Sequence, residues 1–271
     1  MLRNWRVAIY VIIFFFLACS IDRSETIKGR FPISSHFYID LYNLNSGKKV
    51  LSDTLHEQNF DINIGQLPKG IYQMVFSWDR DVMKKQEIER FARQPELGAP
   101  KYYMATTFWL DPLEANTYIL LLDSAYNQAD LEEMLLGENE IDLPKINIVS
   151  DGTNNKIYTK YLKLIERYRV KNQFQKDSLQ QMMAYYNELK LDKEADRLNV
   201  LLANDWLTKI KAELLEEEIT FMKKNLNSDV IPHIYQIQAN SKENFDHYNE
   251  IYKLFPMNIK RELRQNAKNV D

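Results

Sequence analysis

Few residues of this sequence are spaced for catalysis or metal binding. No two histidines have the i, i+4 spacing that places two imidazole rings on one helical face to hold zinc. The four histidines are His36, His56, His233 and His247. Asp53 and Glu57 lie near His56, but an exposed strand edge explains this cluster. The Gly-x-Ser-x-Gly, phosphate-loop and dinucleotide-binding patterns do not occur, so we predict no metal site, no cofactor and no enzyme activity.

The run Glu216-Glu217-Glu218 could supply the paired carboxylates of general acid–base catalysis. It directly follows Leu214-Leu215 in a segment whose apolar residues have helical spacing. Charged residues of an amphipathic helix usually form its solvated face. We interpret the run in that way.

Aromatic residues offer a different chemistry, the binding of a glycan or a peptide. Tyrosine and tryptophan combine a large contact area with a polar group. The candidate ligand-binding residues on the predicted strands are Tyr38, Tyr72, Trp78, Tyr102 and Trp109. Packing in the core is the alternative interpretation of these rings, and we favour it.

The single cysteine, Cys19, follows a segment with the composition of an export signal. Two arginines precede an apolar run over residues 7–18, which is too short for a membrane-spanning helix of about 20 residues. The sequence Leu17-Ala18-Cys19 resembles the lipobox of bacterial lipoproteins. This resemblance implies cleavage after Ala18 and attachment of a diacylglyceryl group to the thiol. An ordinary signal peptide or an uncleaved membrane anchor is the alternative.

Lipidation of Cys19 would leave the mature chain without a free thiol, a disulfide or a cysteine metal site. Several acyl chains hold a protein stably on a membrane, where one chain would be marginal. We therefore expect a cell-envelope protein on the periplasmic side of the outer membrane. Surface display stays open, because only Asp22 and Glu25 are acidic in the segment after the cysteine.

The placement of glycine and proline indicates how the chain is organised. All seven glycines lie at or before Gly152, and six of the eight prolines lie at or before Pro144. Both residues mark turns and are disfavoured inside helices. We predict an α+β protein with an N-terminal antiparallel β-sandwich-like domain and an all-helical C-terminal domain. The expected segments are a signal peptide (1–18), a lipidated tether (19–25), a β-rich domain (26–150) and a helical domain (151–271).

Hydrophobic periodicity predicts the individual elements. Strands are expected at 36–42, 49–54, 60–64, 71–78, 102–110, 117–122 and 146–149. Residues 79–101 interrupt the strands, with a short helix over 82–91. Long helices should follow, the first capped by Asn154 or Asn155 and the second running from Asp192 to near Asn227. Three shorter helices are expected at 229–239, 243–254 and 258–268.

Four segments, in this order, resemble a known bacterial arrangement: Leu67-Pro68-Lys69-Gly70-Ile71-Tyr72, Phe108-Trp109-Leu110, Asn154-Asn155-Lys156-Ile157-Tyr158 and Phe221-Met222-Lys223-Lys224-Asn225. They resemble the N-terminal accessory region of Bacteroidetes TlpA-like thioredoxin lipoproteins, in which the β-rich domain of unknown function numbered 4369 precedes a helical segment. The resemblance implies an envelope lipoprotein. The redox chemistry of that family belongs to a Cys-x-x-Cys motif in a thioredoxin domain, and this sequence contains no such motif. Thiol–disulfide activity therefore does not carry over.

The sequence favours a lipid-anchored, non-catalytic binding or protein-interaction module, with an envelope protein or a glycan as its partner. One alternative is an accessory factor for a separate thioredoxin-like envelope protein. Another is an enzyme, for example a hydrolase, with a site assembled from dispersed residues. The net charge of −3 gives no electrostatic footprint for nucleic acid.

Overall fold

The computed structural model describes residues 25–80, 100–115, 117–136, 144–204 and 206–268. The strands are β1 (Thr26–Arg30), β2 (Phe37–Asn43), β3 (Lys48–Leu55), β4 (Asn59–Asn63), β5 (Gly70–Asp79), β6 (Lys101–Leu110), β7 (Thr117–Leu122) and β8 (Ile146–Val149). The helices are α1 (Gln128–Leu136), α2 (Thr153–Glu188), α3 (Asp192–Asn204), α4 (Trp206–Lys224), α5 (Val230–Gln238), α6 (Lys242–Leu254) and α7 (Met257–Lys268). The expected signal peptide, Ala18, Cys19 and the predicted helix over 82–91 lie outside the described residues. None of the described helices is both long and apolar enough to cross a bilayer.

Two four-stranded sheets form the first half of the chain, and together with the helices they confirm the α+β fold. The strand order is β4-β1-β7-β8 in sheet one and β3-β2-β5-β6 in sheet two. Neighbouring strands are antiparallel except β1 and β7, which run parallel. This pair departs from the antiparallel arrangement that we expected. A parallel pair needs a long connection, and the whole of sheet two lies between these strands in the sequence.

Alternating apolar residues bring the inner faces of the two sheets together. On β2, Phe37, Ile39 and Leu41 are fully buried, as the period of two along a strand predicts. The ring of Phe31 stacks on Phe76 with the centroids 4.5 Å apart. Sheet one contributes further buried residues, including Ile27, Phe60, Ile62, Tyr118, Leu120, Ile146 and Ile148.

Helix α1 packs on this sandwich and was not predicted from the sequence. Leu131 is fully buried in the core, and Leu135, four residues later, packs against it. Trp78 Nε1 also donates a hydrogen bond to Glu132 Oε1 at 3.0 Å. The i, i+4 leucine pair was the signal that could have revealed the helix.

The opposite face of sheet two joins the strands to the helices. Tyr72 of β5 and Phe108 of β6 belong to the sandwich core, so their neighbours Ile71 and Trp109 lie on the other face. Ile71 and Trp109 are paired across the two strands, and both are fully buried in the core of the helical half. The helical residues of that core include Tyr158, Tyr161, Met222, Val230, Ile231 and Ile234. The two halves therefore share one apolar interface.

The first turn of α2 is fixed by the β half. Gly152 precedes the helix and provides no side chain to cap it. Glu114, in the turn after β6, instead accepts hydrogen bonds from the backbone N–H and the side-chain amide of Asn154, at 3.0 and 2.8 Å. Asn155 Nδ2 donates a hydrogen bond to the backbone carbonyl of Trp109 in β6 at 2.8 Å. The expected Asn154 or Asn155 cap is therefore wrong, because both residues lie inside the helix and bind β6 and its turn.

Helices α2 and α4 pack antiparallel as a helical hairpin, and the predicted long helix from Asp192 to near Asn227 corresponds to α3 and α4. Three side-chain contacts run in opposite chain order along the two helices: Tyr161–Glu218, Tyr168–Glu217 and Lys171–Glu213. Helix α3 packs beside α2 after a short turn. Helices α5, α6 and α7 then fold across the part of the hairpin nearest the sheets.

Glu218 is buried, with only 4% of its surface exposed, so its interpretation as part of a solvated face is wrong. Its two carboxylate oxygens accept hydrogen bonds from the hydroxyl groups of Tyr161 and Tyr248, each at 2.6 Å. Gln238 Nε2 donates to the Tyr161 oxygen at 2.6 Å. Burial, with the nearby carboxylate adding to it, raises the pKa of both tyrosines. The other two glutamates of the run are exposed, as expected.

Candidate functional site

The aromatic residues predicted as ligand-binding candidates do not converge on an open surface. Tyr72, Trp78 and Tyr102 are buried in the sandwich core, and Trp109 is buried among the helices. The rings of Trp78 and Tyr102 stack with their centroids 5.3 Å apart. Tyr38 is partly exposed, and a lysine ammonium group lies 3.6 Å from its ring centroid. Core packing therefore accounts for four of these five side chains.

Two histidines approach each other where β2 begins and β3 ends. The ring centroids of His36 and His56 are 6.3 Å apart, and His36 Nε2 lies 3.3 Å from Asp79 Oδ2. Over the described ranges, no group of three or more His, Cys, Asp or Glu side chains is arranged to hold a metal ion.

An open cleft of about 680 Å³ lies where the turn between β2 and β3 meets helices α5, α6 and α7. This volume falls in the range of about 300–1,000 Å³ that is usual for small-molecule sites. Its walls are mainly apolar and are formed in large part by Leu44, Tyr235, Ile237, Phe245, Tyr252 and Leu263. The cleft is the candidate functional site of the protein.

Asn45 fixes one wall of this cleft by binding the turn to α5. Its Nδ2 donates to the backbone carbonyl of His233 and to Gln236 Oε1, each at 3.3 Å. Its Oδ1 lies 2.9 Å from His233 Nδ1, and Gln236 Nε2 donates to its backbone oxygen at 3.4 Å. Gly47 closes the turn with φ of +68°, which glycine adopts without strain. The amide group of Asn45 thus binds His233, Gln236 and the backbone, and the turn is held in place without a ligand.

Aromatic rings and one cation form the opposite wall. The ring of Tyr252 stacks on Tyr235 with the centroids 6.0 Å apart, and Phe245 lies 5.9 Å from Tyr252. Arg264 Nε donates a hydrogen bond to the Tyr252 hydroxyl oxygen at 2.8 Å. Its guanidinium carbon lies 5.9 Å from the same ring centroid, within the range of a cation–π contact. This wall therefore combines a flat apolar surface with a positive charge.

The hydroxyl group of Tyr235 is buried and has no hydrogen-bond partner among the described residues. The residue is only 4% exposed. Burial raises its pKa to about 12, with a smaller contribution from Tyr252, so the group is a neutral donor at physiological pH. A buried hydroxyl without a partner costs about 1–3 kcal/mol. The hydroxyl oxygen itself is covered, so a ligand that accepts its hydrogen bond must displace the side chains that cover it.

His233 lies behind this wall, between Asn45 and Trp109. Its ring meets the Trp109 ring edge-on with the centroids 5.0 Å apart. Burial lowers the pKa of His233 to about 4; the positive charge of Lys69 contributes, and Asp229 opposes the shift. The imidazole is therefore neutral at physiological pH. Burial in the folded protein disfavours its charged form.

We expect acid to destabilise the protein through His233. The unfolded chain binds a proton at this residue near pH 6.5 and the folded chain near pH 4. Its contribution to stability is complete above pH 6.5 and is lost as the pH falls to 4, by about 3 kcal/mol. Urea unfolding across this range should show that loss in the wild type and a much smaller one in His233→Gln. The exposed His247 provides the control His247→Gln. Equal pH dependence in the wild type and His233→Gln would contradict the expectation.

The cleft was not predicted from the sequence, because its aromatic residues lie on helices and the candidate aromatics lay on the predicted strands. Phe245 and Tyr252 lie on one predicted short helix, and Tyr235 lies on the helix before it. Those three aromatics were a usable signal for the helical wall. No sequence pattern indicates that the turn at 44–47 would face them, because about 190 residues separate the two walls.

The chain matches no family model, no curated protein and no solved structure. The resemblance to the accessory region of TlpA-like lipoproteins stays a prediction.

Proposed function

We propose that the protein is a non-catalytic binding module of the cell envelope, anchored through lipidated Cys19, which takes its ligand in the cleft between the β2–β3 turn and α5–α7. The observation that supports this function best is the hydroxyl of Tyr235. It is buried in the wall of a cavity of ligand size and lacks a partner among the described residues.

A buried polar group without a partner is uncommon in folded proteins. A partner that arrives with a ligand is one way to satisfy such a group, although Glu25 Oε2 and Trp109 Nε1, which do not line the cleft, also lack a partner among the described residues. The position of Tyr235 supports this interpretation, because the same residue both lines the cleft and stacks on its aromatic wall. Hydrogen bonds between Asn45 of the turn and Gln236 of α5 hold the facing wall in place before a ligand binds.

The lining of the cleft favours binding over catalysis. Its described side chains are apolar, amide, hydroxyl or aromatic, and Arg264 is the one charged group among them. General acid–base catalysis needs a titratable pair in contact with the substrate. The envelope location rests on the export-like segment and the lipobox-like Leu17-Ala18-Cys19.

Photo-crosslinking in living cells tests the proposal. Phe245 lines the cleft and is 40% exposed, so p-benzoylphenylalanine at this position should capture a bound ligand. Tyr103, on the outer face of β6, is 61% exposed and provides the control. After irradiation, intact-protein mass spectrometry should find a discrete added mass on the Phe245 variant and none on the Tyr103 variant. The same adducts at both positions, or none at Phe245, would refute the cleft as the binding site.

A further inference from the structure

We infer that the ligand of the cleft is an apolar organic acid, with a carboxylate bound by Arg264 and Tyr235 and an apolar body against the aromatic wall. This inference rests on the proposed binding function and adds the chemical class of the ligand.

The charge of the cleft favours an anion. Arg264 is the one charged side chain among its described lining residues. Among the described side chains of helix α7, which carries it, the basic residues Lys260, Arg261 and Arg264 stand against a single acidic residue, Glu262. The Nε group of Arg264 binds Tyr252, and its terminal N–H groups have no partner among the described residues. A planar guanidinium held in this way presents two donors to a carboxylate.

The unused hydrogen-bonding groups of the cleft are also mainly donors. The side chains of Asn45 and Gln236 bind each other and the neighbouring backbone. Asn240 uses its side-chain oxygen to accept from Asn244, which leaves its NH₂ group. Together with the hydroxyl of Tyr235 and the guanidinium of Arg264, these groups require a ligand rich in acceptors. A carboxylate is an acceptor-only group that fits this set.

The remaining wall requires an apolar body next to that carboxylate. Tyr252 and Phe245 provide ring faces, and Ile237 and Leu263 provide aliphatic surface. Lys260 Nζ lies 5.7 Å from the Tyr252 ring centroid, so a second cation lies near the same ring. An aryl or branched alkyl group could cover these side chains while its acid group reaches Arg264. Such a ligand could be a free acid or the apolar C-terminus of a peptide.

Two matched pairs of probes test the class of ligand on the full chain reconstituted in lipid nanodiscs. Hydrocinnamate is compared with its neutral amide, and N-acetyl-leucyl-phenylalanine is compared with its C-terminal amide. Isothermal titration calorimetry should show each acid binding at least tenfold more tightly than its amide, the effect of about one charge-assisted hydrogen bond. If N-acetyl-leucyl-phenylalanine binds much more tightly than hydrocinnamate, the natural ligand is the C-terminus of a peptide. If the two acids bind with equal affinity, the natural ligand is a free acid.

Two variants separate the contacts with the acid from a structural role. Arg264→Met should abolish the preference for acid over amide, while Arg261→Met, on the same helix but outside the cleft, should keep it. Tyr235→Phe should weaken acid binding about tenfold and raise the melting temperature of the ligand-free protein, because it removes a buried hydroxyl without a partner. If Tyr235 has only a structural role, Tyr235→Phe should change the melting temperature and leave the affinity for the acid unaltered.

The outcomes distinguish this inference from the function on which it rests. Equal binding of acid and amide, no binding of either pair, or a preference that survives Arg264→Met would overturn the assignment of an organic acid. A crosslinked adduct at Phe245 would still support a binding cleft in each of those cases. Absence of that adduct together with absence of probe binding would remove both proposals.

Discussion

Replacing Glu218 with alanine is expected to lower the free energy of unfolding by about 3–5 kcal/mol. The substitution leaves the hydroxyl groups of Tyr161 and Tyr248 buried without an acceptor, at about 1–3 kcal/mol each, and it opens a cavity. Urea denaturation followed by circular dichroism measures the loss. Glu216→Ala, two residues earlier on the exposed side of α4, is the control and should change stability by less than about 0.5 kcal/mol.

A combined variant tests whether the loss comes from the orphaned hydroxyls. This variant replaces the hydrogen-bonded side chains with apolar groups through Tyr161→Phe, Tyr248→Phe and Glu218→Leu. Proteins often tolerate such a replacement well. Gln238 loses one acceptor in this variant but lies nearer the surface. The combined variant should be more stable than Glu218→Ala alone. If it is less stable, the contribution of Glu218 lies elsewhere than in these hydrogen bonds.

Replacing Cys19 with serine is expected to abolish lipid attachment completely. A serine hydroxyl cannot form the thioether that a lipobox cysteine forms, and the chain has no other cysteine to take its place. Each acyl methylene that inserts into a bilayer contributes about 0.8 kcal/mol, so we expect the acyl chains to supply most of the membrane affinity of the cleaved wild-type protein. Metabolic labelling with an alkyne fatty acid should mark the wild type and leave Cys19→Ser unlabelled and uncleaved after Ala18.

The neighbouring substitution Ser20→Ala is the control for that experiment, since it alters the same segment and keeps the thiol. It should keep both the label and the cleavage. An unlabelled wild type would refute the lipid anchor. Label that persists in Cys19→Ser would place the acyl chain on another residue.

Most of the strands and helices, though not β1 and α1, were predictable because their patterns are local. The alternation of Phe37, Ile39 and Leu41 is visible in the sequence and reappears as the buried face of β2. That β5 and β6, which are successive strands in the sequence, pair antiparallel could be expected, but the register that places Ile71 opposite Trp109 could not. The sequence does not indicate that helices cover this outer face of sheet two, because that contact depends on how the two halves of the chain pack.

Glu218 shows where charge misled the interpretation of the sequence. It lies four residues from Met222, which is fully buried, so helical spacing alone placed it on the inner face of α4. Its charge led us to place the whole run in solvent. The hydrogen bonds to its carboxylate come from Tyr161 of α2 and Tyr248 of α6. The sequence near Glu218 does not indicate these partners.

The hydrogen bonds between Glu114 and Asn154 also bear on the order in which the chain acquires structure. The first turn of a helix is the costly step in its formation, and the N–H groups of that turn have no acceptor within the helix. Here Glu114, in the turn after β6, accepts from one of these N–H groups, so the strands that precede the 36-residue helix stabilise its first turn. The strands also precede the helix in the sequence, so they leave the ribosome first. Propagation of α2 can then start from a template that is already in place.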